Sequence, residues 1–153
     1  MGRTVAQNKK ARHDYVIEDT VEAGIVLTGT EIKSIRAGHV NLQDAYARIE
    51  RGEAWLVGAH VAPWTGADRN NHEPKRDRKL LLHRTQIDQL AGRAKAKGLT
   101  LVPLVLYFND RGRAKVQLGL ARGKKAYDRR RDIAERDARR DMDRELADVT
   151  RGR

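Results

Sequence analysis

The last 32 residues of the chain, 122–153, contain 12 Arg or Lys and 8 Asp or Glu but only five apolar side chains larger than alanine. Ordering a backbone costs roughly 1–2 kcal/mol per residue, and a segment with so little apolar surface to bury cannot offset that cost. We therefore expect residues 122–153 to form a charged C-terminal tail that is disordered when free. Either the tail folds on a polyanionic partner, or it is a permanently disordered, solubilising segment.

The remaining 121 residues are long enough for one domain with one core, and they are basic as well, with 20 basic and 13 acidic side chains. Positive charge in both parts of the chain indicates nucleic acid or an anionic membrane surface as the partner. The longest apolar run, Leu101–Phe108, is too short to span a membrane, and the N-terminus has no apolar signal segment. The absence of cysteine excludes disulfides and thiolate chemistry. We expect a cytoplasmic protein without a membrane partner.

Short apolar bursts predict strands after a flexible basic N-terminal arm, residues 1–12. Two strands are predicted at 15–17 and 24–27, and a hairpin is predicted within 44–61, turning at Gly52. A short helix is expected after Thr28, which has Glu31 three residues later as in a capping box, and a second helix is expected over 85–97 with Thr85 as its cap.

Residues 63–79 form a polar segment that predicts a long loop. Two strands follow at 101–108 and 114–121, and Pro103 suggests an edge or a bulge in the first of them. Short antiparallel strands with two or three short helices predict a mainly β fold for residues 13–121. The expected architecture is a small OB-fold-type antiparallel β-barrel.

Catalytic and metal-binding motifs are not supported by the spacing of the polar residues. No two of the five histidines are spaced like ligands on one helix face or hairpin, and the segment from Gly119 to Lys125 departs from a phosphate-binding loop in length and in its last residue. We therefore predict a protein that is not an enzyme and has no metal or cofactor. A metal-free nuclease using His and Lys is the catalytic alternative.

Three basic clusters each lie next to a predicted strand and favour a face that contacts phosphates over an ordinary solvated surface. They are residues 9–13, residues 75–79 ending at Lys79, and the set Arg111, Arg113 and Lys115. Aromatic residues are few, which argues against sequence-blind binding of single strands and for recognition of a folded RNA by shape.

Five segments of the chain resemble the small protein B family, also called SsrA-binding proteins. They are NKKARHDY (8–15), EAGIVLTGTEIKSIRAG (22–38), NHEPKRDRKLLLH (71–83), TLVPLVLYF (100–108) and GKKAYDRR (123–130). The resemblance covers residues 8–132 and implies an OB-fold protein that binds the tRNA-like domain of transfer-messenger RNA (tmRNA). It further implies trans-translation, in which alanyl-tmRNA and elongation factor Tu reach ribosomes stalled on messages without a stop codon.

The resemblance also implies roles for individual residues. Those expected on the tmRNA-binding face are Arg12, His13, Glu22, Leu81, His83 and Lys115, to which the basic-cluster argument adds Lys79. Those expected to engage the 16S rRNA of the decoding region and the empty mRNA channel, where the tail becomes helical, are Gly123, Lys124, Lys125, Tyr127, Asp128, Arg129 and Arg130. We expect a monomer off the ribosome. The alternative is a ribosome-associated RNA-binding protein or RNA chaperone without tmRNA specificity, which would bind unrelated structured RNA equally well.

Overall fold

The computed structural model describes residues 2–66 and 71–123. Within them the strands are β1 (Arg3–Gln7), β2 (Tyr15–Ile25), β3 (Val40–Asn41), β4 (Tyr46–Glu50), β5 (Glu53–Val57), β6 (His60–Val61), β7 (Arg78–Leu81), β8 (Thr100–Phe108) and β9 (Ala114–Gly123). The helices are α1 (Lys9–Asp14), α2 (Gly29–Arg36) and α3 (Arg84–Lys97). No helix in this part of the chain is long and apolar enough to cross a membrane.

The main sheet is antiparallel and closes on itself. Its strand order is β8-β4-β5-β7-β2-β9, and β9 pairs again with β8 to complete the ring, while β1 adds to the other edge of β8. Strands β3 and β6 form a separate two-stranded ladder. The closed ring confirms the predicted mainly β, barrel-like fold. Alternate side chains of the strands fill the interior, as in β9, where Val116, Leu118 and Leu120 are buried.

Elements with local sequence signals form where they are predicted. Thr28 caps α2 and Glu31 completes the capping box. Arg51 (φ 53°) and Gly52 (φ 75°) form the turn between β4 and β5, a conformation that requires positive φ at both central residues. Strand β8 has a register shift between Pro103 and Val105, which confirms a bulge at the proline.

The N-terminal residues correct one prediction, because the expected flexible arm forms β1 and α1. Val5 and Ala6 pack against the core, and β1 pairs with residues 105–108 of β8. Asn8 caps α1 and is buried, its side-chain amide donating to the carbonyl oxygens of Leu42 at 3.0 Å and Pro103 at 2.9 Å. These partners are distant in sequence, so the composition of the segment did not reveal them.

Two further boundaries differ from the predictions. The two expected strands at 15–17 and 24–27 are joined in one strand, β2, which continues through the exposed residues 18–20 and ends at Ile25, two residues before the predicted end. Helix α3 begins at Arg84 with His83 as its cap residue, and the Gln86 side chain accepts a hydrogen bond from the His83 backbone N–H at 3.1 Å. Thr85 therefore lies inside the first turn. Gly98 ends the helix in the left-handed conformation, as expected.

Candidate nucleic-acid interface

Strands β2, β5, β7 and β9 and the start of α3 surround a groove of about 510 Å³, here called the β2–β7 groove. Five residues predicted to bind RNA line it: Glu22, Lys79, Leu81, His83 and Lys115. They come from segments up to 93 positions apart in the sequence, since Glu22 is in β2 and Lys115 is in β9. The barrel brings them together because β7 and β9 flank β2 on its two sides.

The floor of the groove is the ladder between β2 and β7. Gly24 lies opposite Leu81, and the Val26 backbone N–H donates to the carbonyl oxygen of Lys79 at 2.9 Å. Leu81 leans over Gly24: a Cβ at Gly24 would lie 3.1 Å from the Leu81 Cβ. Because Gly24 has no side chain, the Leu81 side chain can pack over the Gly24 backbone. Leu81 is nevertheless 53% exposed to solvent. An aliphatic side chain this exposed is suited to contact with a partner.

Glu22 is held at one side of the groove by Tyr107. The Tyr107 hydroxyl donates to Oε2 of the Glu22 carboxylate, and Tyr107 lies opposite Lys115 in the ladder between β8 and β9. Burial, and then the hydrogen bond and charge of Glu22, raise the pKa of Tyr107 to about 12. The hydroxyl therefore stays protonated at neutral pH and acts as a permanent donor, which orients an exposed carboxylate toward a ligand.

Cations outnumber carboxylates among the residues that line the groove. The lining contains three cations, Lys79, Arg84 and Lys115, and two carboxylates, Glu22 and Glu53. The Lys79 Nζ lies 3.7 Å from a carboxylate oxygen of Glu53, and both side chains are nearly half exposed. Exposed pairs of this kind contribute about 0–1 kcal/mol, so the pairing does not prevent Lys79 from binding a phosphate. The arrangement suits a ligand with phosphates and with hydrogen-bond donors for Glu22.

A buried ion pair at the start of β7 corrects the interpretation of the second basic cluster. Glu31 and Arg78 are both fully buried, and Arg78 and Arg76 both donate to the Glu31 carboxylate. Arg78 also donates to the carbonyl oxygens of Ala59 at 2.9 Å and Pro74 at 3.1 Å. Because side chains alternate along a strand, Arg78 points into the protein while its neighbour Lys79 does not. Arg78 therefore holds the fold and is not available to a phosphate-binding face, while the partly exposed Arg76 is paired with the same carboxylate.

The electrostatics of this pair are set by its hydrogen bonds. Burial alone would raise the pKa of the Glu31 carboxyl, but hydrogen bonds from Arg76, the backbone N–H of Thr28 and Arg78 outweigh burial and lower that pKa. Burial lowers the pKa of Arg78, against the opposing hydrogen bond and charge of Glu31. Glu31 thus joins the start of α2 to the start of β7, the strand that carries Lys79 and Leu81 into the groove.

Two predicted RNA-binding residues lie outside the lining of this groove. Arg12 and His13 are exposed in α1, which packs on β2 and β8, and the His13 Nδ1 is 3.0 Å from Oδ1 of Asp14. Gly123 is the last residue of β9, two residues beyond the predicted end of that strand. The other residues assigned to the ribosome, Lys124, Lys125, Tyr127, Asp128, Arg129 and Arg130, lie outside the described residues.

Several residues of the groove were missed by the sequence predictions. Tyr107, which orients Glu22 from beside the groove, had no predicted role, although the turn at 110–112 fixes the β8–β9 register and places this residue opposite Lys115. Gly24 and Glu53 carried no signal, because their importance comes from the neighbouring strands. Arg84 was placed before α3, where it is the first residue of the helix.

Comparison with known proteins identifies the family. The sequence model described as SmpB protein matches residues 5–148. The SsrA-binding protein of Symbiobacterium thermophilum is 59% identical over 142 residues, covering 93% of this chain and 90% of the relative. The SsrA-binding protein of a Roseiflexus species is 61% identical over 150 residues, covering 97% of this chain and 94% of the relative.

A solved structure agrees with these sequence matches. One chain of the structure described as "tmRNA-SmpB: a journey to the center of the bacterial ribosome" superimposes with a TM-score of 0.68 at 55% identity. The match covers 80% of this chain and 86% of that one. The sequence matches extend over nearly the whole chain, and the described fold is shared with a solved member. The chain therefore belongs to the SmpB protein family.

Proposed function

We propose that this chain is a tmRNA-binding protein of trans-translation, which delivers alanyl-tmRNA to stalled ribosomes and so rescues ribosomes on messages without a stop codon. The observation that carries the proposal is the β2–β7 groove, where the barrel gathers five predicted RNA-binding residues from distant segments. Membership of the SmpB family indicates which RNA is bound. The relatives are SsrA-binding proteins, and a solved relative is described together with tmRNA.

The groove has the chemistry to distinguish a base from a phosphate. The Glu22 carboxylate, oriented by Tyr107, can accept two hydrogen bonds from the N1–H and N2–H groups of an unpaired guanine. Leu81 offers apolar contact beside it, and Lys79 and Lys115 can bind the flanking phosphates. A carboxylate placed among cations repels phosphate locally, so the groove favours one orientation of the RNA.

The finer parts of the proposal concern the ribosome and the tail. We assign residues 123–130 to contacts with the 16S rRNA of the decoding region and the charged tail, residues 122–153, to the empty mRNA channel. The composition of the tail supports this assignment, because interleaved acids and bases suit coupled folding on rRNA better than nonspecific adhesion. The protein would act in the cytoplasm, as a monomer before it joins the ribosome and without catalysing a reaction, with elongation factor Tu bound to the same alanyl-tmRNA.

Binding to the isolated tRNA-like domain of tmRNA tests the recognition step. Glu22→Ala removes the acceptor for a base, and the loss of about 1–3 kcal/mol for one bidentate contact corresponds to a roughly 5- to 150-fold weaker Kd. Glu18→Ala is the matched control, because it removes an exposed carboxylate from the same strand outside the groove. Unrelated structured RNA at the same salt concentration measures the nonspecific part.

Two results would contradict this assignment. Equal effects of Glu22→Ala and Glu18→Ala would remove the recognition role of Glu22. Equal affinity of the wild-type protein for tmRNA and for unrelated structured RNA would favour the RNA-chaperone alternative.

A truncation tests the division between body and tail. A chain ending at Gly123 keeps the whole of β9, and with it the β2–β7 groove. We expect it to bind the tRNA-like domain within about twofold of the full chain but to fail in peptide tagging on stalled ribosomes. A parallel loss of RNA affinity and tagging would show that the tail contributes to tmRNA binding itself.

A further inference from the structure

We infer that a second groove beside the first, between β2, α2 and the β8–β9 hairpin, receives an unpaired nucleotide of the same RNA. This hairpin groove has a volume of about 420 Å³ and shares Gly24, Leu81 and Lys115 with the β2–β7 groove. Its own members include Val26, Arg36, Phe108 and Arg113. The inference rests on the proposed function. It adds Val26, Arg36 and Phe108, which had no predicted RNA-binding role, and gives Arg113 of the third basic cluster a specific place.

The floor of the hairpin groove is exposed aliphatic surface. Val26 is 45% exposed and Leu81 is 53% exposed, two of the three large apolar side chains most open to solvent in the described residues. They are neighbours across the β2–β7 ladder: Gly24 lies opposite Leu81, and Val26, which directly follows β2, donates its N–H to the Lys79 carbonyl oxygen. Gly24 adds no side chain between Glu22 and Val26, so the two grooves communicate across it. A continuous exposed apolar strip next to polar recognition groups indicates contact with a partner.

The wall of the hairpin groove is cationic. Arg36, Arg113 and Lys115 line it, and no carboxylate is present among the described residues that do so. The β2–β7 groove, by contrast, includes Glu22 and Glu53. Along the described ranges, no carboxylate lies within ion-pair distance of these three cations. Within residues 2–66 and 71–123 their charge is therefore not compensated by a close carboxylate and can attract phosphate oxygens.

One of these cations is held as a flat surface. The guanidinium carbon of Arg36 lies 5.6 Å from the centroid of the Phe108 ring, within the range of a cation–π contact. Arg36 is exposed, so the guanidinium face turned away from Phe108 can stack on a base. Phe108 itself is buried and serves as the support. The contact reduces the entropy that an isolated arginine would lose on binding.

These features together select a nucleotide as the occupant. A base has two apolar faces that fit between Val26 and Leu81 on one side and Arg36 on the other, while its phosphate can reach Arg113 and Lys115. An acidic peptide would leave the apolar floor uncovered, and an apolar helix of another protein would bury three cations without partners at a large cost. The hairpin groove is continuous with the β2–β7 groove. The nucleotide should therefore come from an unpaired part of the tRNA-like domain next to the part bound in the β2–β7 groove.

The test uses two independent variants of the full-length protein and a matched control. Arg36→Gln with Arg113→Gln removes two cations, and Val26→Asp places a carboxylate on the floor. Lys33→Gln with Lys97→Gln is the control, with the same charge change at exposed positions of α2 and α3 outside both grooves. Thermal unfolding establishes that each variant is folded. Adding Glu22→Ala to each variant should further weaken binding to the tRNA-like domain, which establishes that its β2–β7 groove is intact.

We expect the arginine double variant to bind the tRNA-like domain about tenfold more weakly than the control, with a salt slope reduced by roughly 1–2. Chemical probing of the bound RNA should show one unpaired nucleotide that loses its protection in both groove variants. The nucleotide whose protection depends on Glu22 should remain protected.

Two outcomes separate the inference from the proposed function. If the wild-type protein binds the tRNA-like domain no better than unrelated RNA, the proposed function fails. If wild-type binding is specific but both groove variants match the control in affinity, salt slope and protection pattern, the inference alone is overturned and the groove is left to a protein partner.

Discussion

Replacement of Glu31 by glutamine tests how much the buried ion pair at the start of β7 stabilises the fold. Glu31→Gln keeps the shape of the side chain and one acceptor oxygen but removes the negative charge that two arginines share. Arg78, which is fully buried, would then carry its charge without a counter-ion. Arginine cannot relieve this by losing its proton, because its pKa stays far above neutral even when burial lowers it.

The size of the effect follows from what remains around Arg78. Breaking a buried ion pair by removing one partner costs about 3–5 kcal/mol. Arg78 keeps its hydrogen bonds to the carbonyl oxygens of Ala59 and Pro74, so we expect a loss near the lower bound, about 3 kcal/mol. With a urea dependence of about 1.5 kcal/mol per molar, the unfolding midpoint falls by about 2 M. Since domains are stable by only about 5–15 kcal/mol, this is a large fraction of the total.

Equilibrium unfolding in urea, followed by tryptophan fluorescence, measures the change. Glu50→Gln is the control: Glu50 is an exposed carboxylate whose nearest cation, Arg48, lies 3.3 Å away, and its loss should change stability by less than about 0.5 kcal/mol. A loss below about 1 kcal/mol for Glu31→Gln would refute the reasoning, because it would mean that Arg78 needs no counter-charge.

The pH dependence gives the same prediction a second readout. The folded protein holds the pKa of Glu31 below its usual value, so the carboxylate contributes stability above its unfolded-state pKa. That contribution is lost as the pH falls through the lower, folded-state pKa. The wild-type protein should therefore have a higher free energy of unfolding than Glu31→Gln at pH 7, and this difference should shrink only in acid. An equal difference in unfolding free energy at pH 7 and in strong acid would contradict this.

Two further substitutions address the groove and the core. Tyr107→Phe removes the donor to Glu22 and should weaken binding to the tRNA-like domain by about 2- to 10-fold without lowering the unfolding temperature. Its effect should largely vanish when Glu22→Ala is already present, whereas full additivity would exclude a positioning role. Gly119→Ala places a Cβ 2.9 Å from the Leu104 Cδ1 and 3.2 Å from the Ile17 Cγ2, so it should destabilise the barrel by about 1–3 kcal/mol in urea titrations. Gly29→Ala, where nothing lies within 4 Å, should be neutral or slightly stabilising.

Sequence predictions succeeded where the determining contacts are local. The capping box of α2 joins residues three positions apart, and the turn at Gly52 depends on its own backbone conformation. The β8–β9 hairpin follows from alternation around a glycine turn. In each case the residues that decide the structure are close neighbours in the chain.

Predictions failed where a distant partner decides. Arg78 stands in a run of charged residues that is typical of a surface, and only Glu31, 47 positions away, makes it a core residue. Asn8 can be buried because its side-chain amide donates to the carbonyl oxygens of Leu42 and Pro103, both distant in sequence. The groove itself could be predicted only as a list of residues, since the register between β2 and β7 was not encoded by any local signal.

Closure of the barrel through β8 and β9 has a mechanical consequence. Strand β9 is paired along its length with β8, from Ala114 opposite Phe108 to Ala121 opposite Thr100, and its last residue is Gly123. A pull on Gly123 along the axis of β9 acts perpendicular to the ladder hydrogen bonds. Those bonds are then loaded in shear and resist together, instead of opening one after another from an end. The β8–β9 ladder therefore gives the barrel a shear-resistant connection to the chain that follows β9.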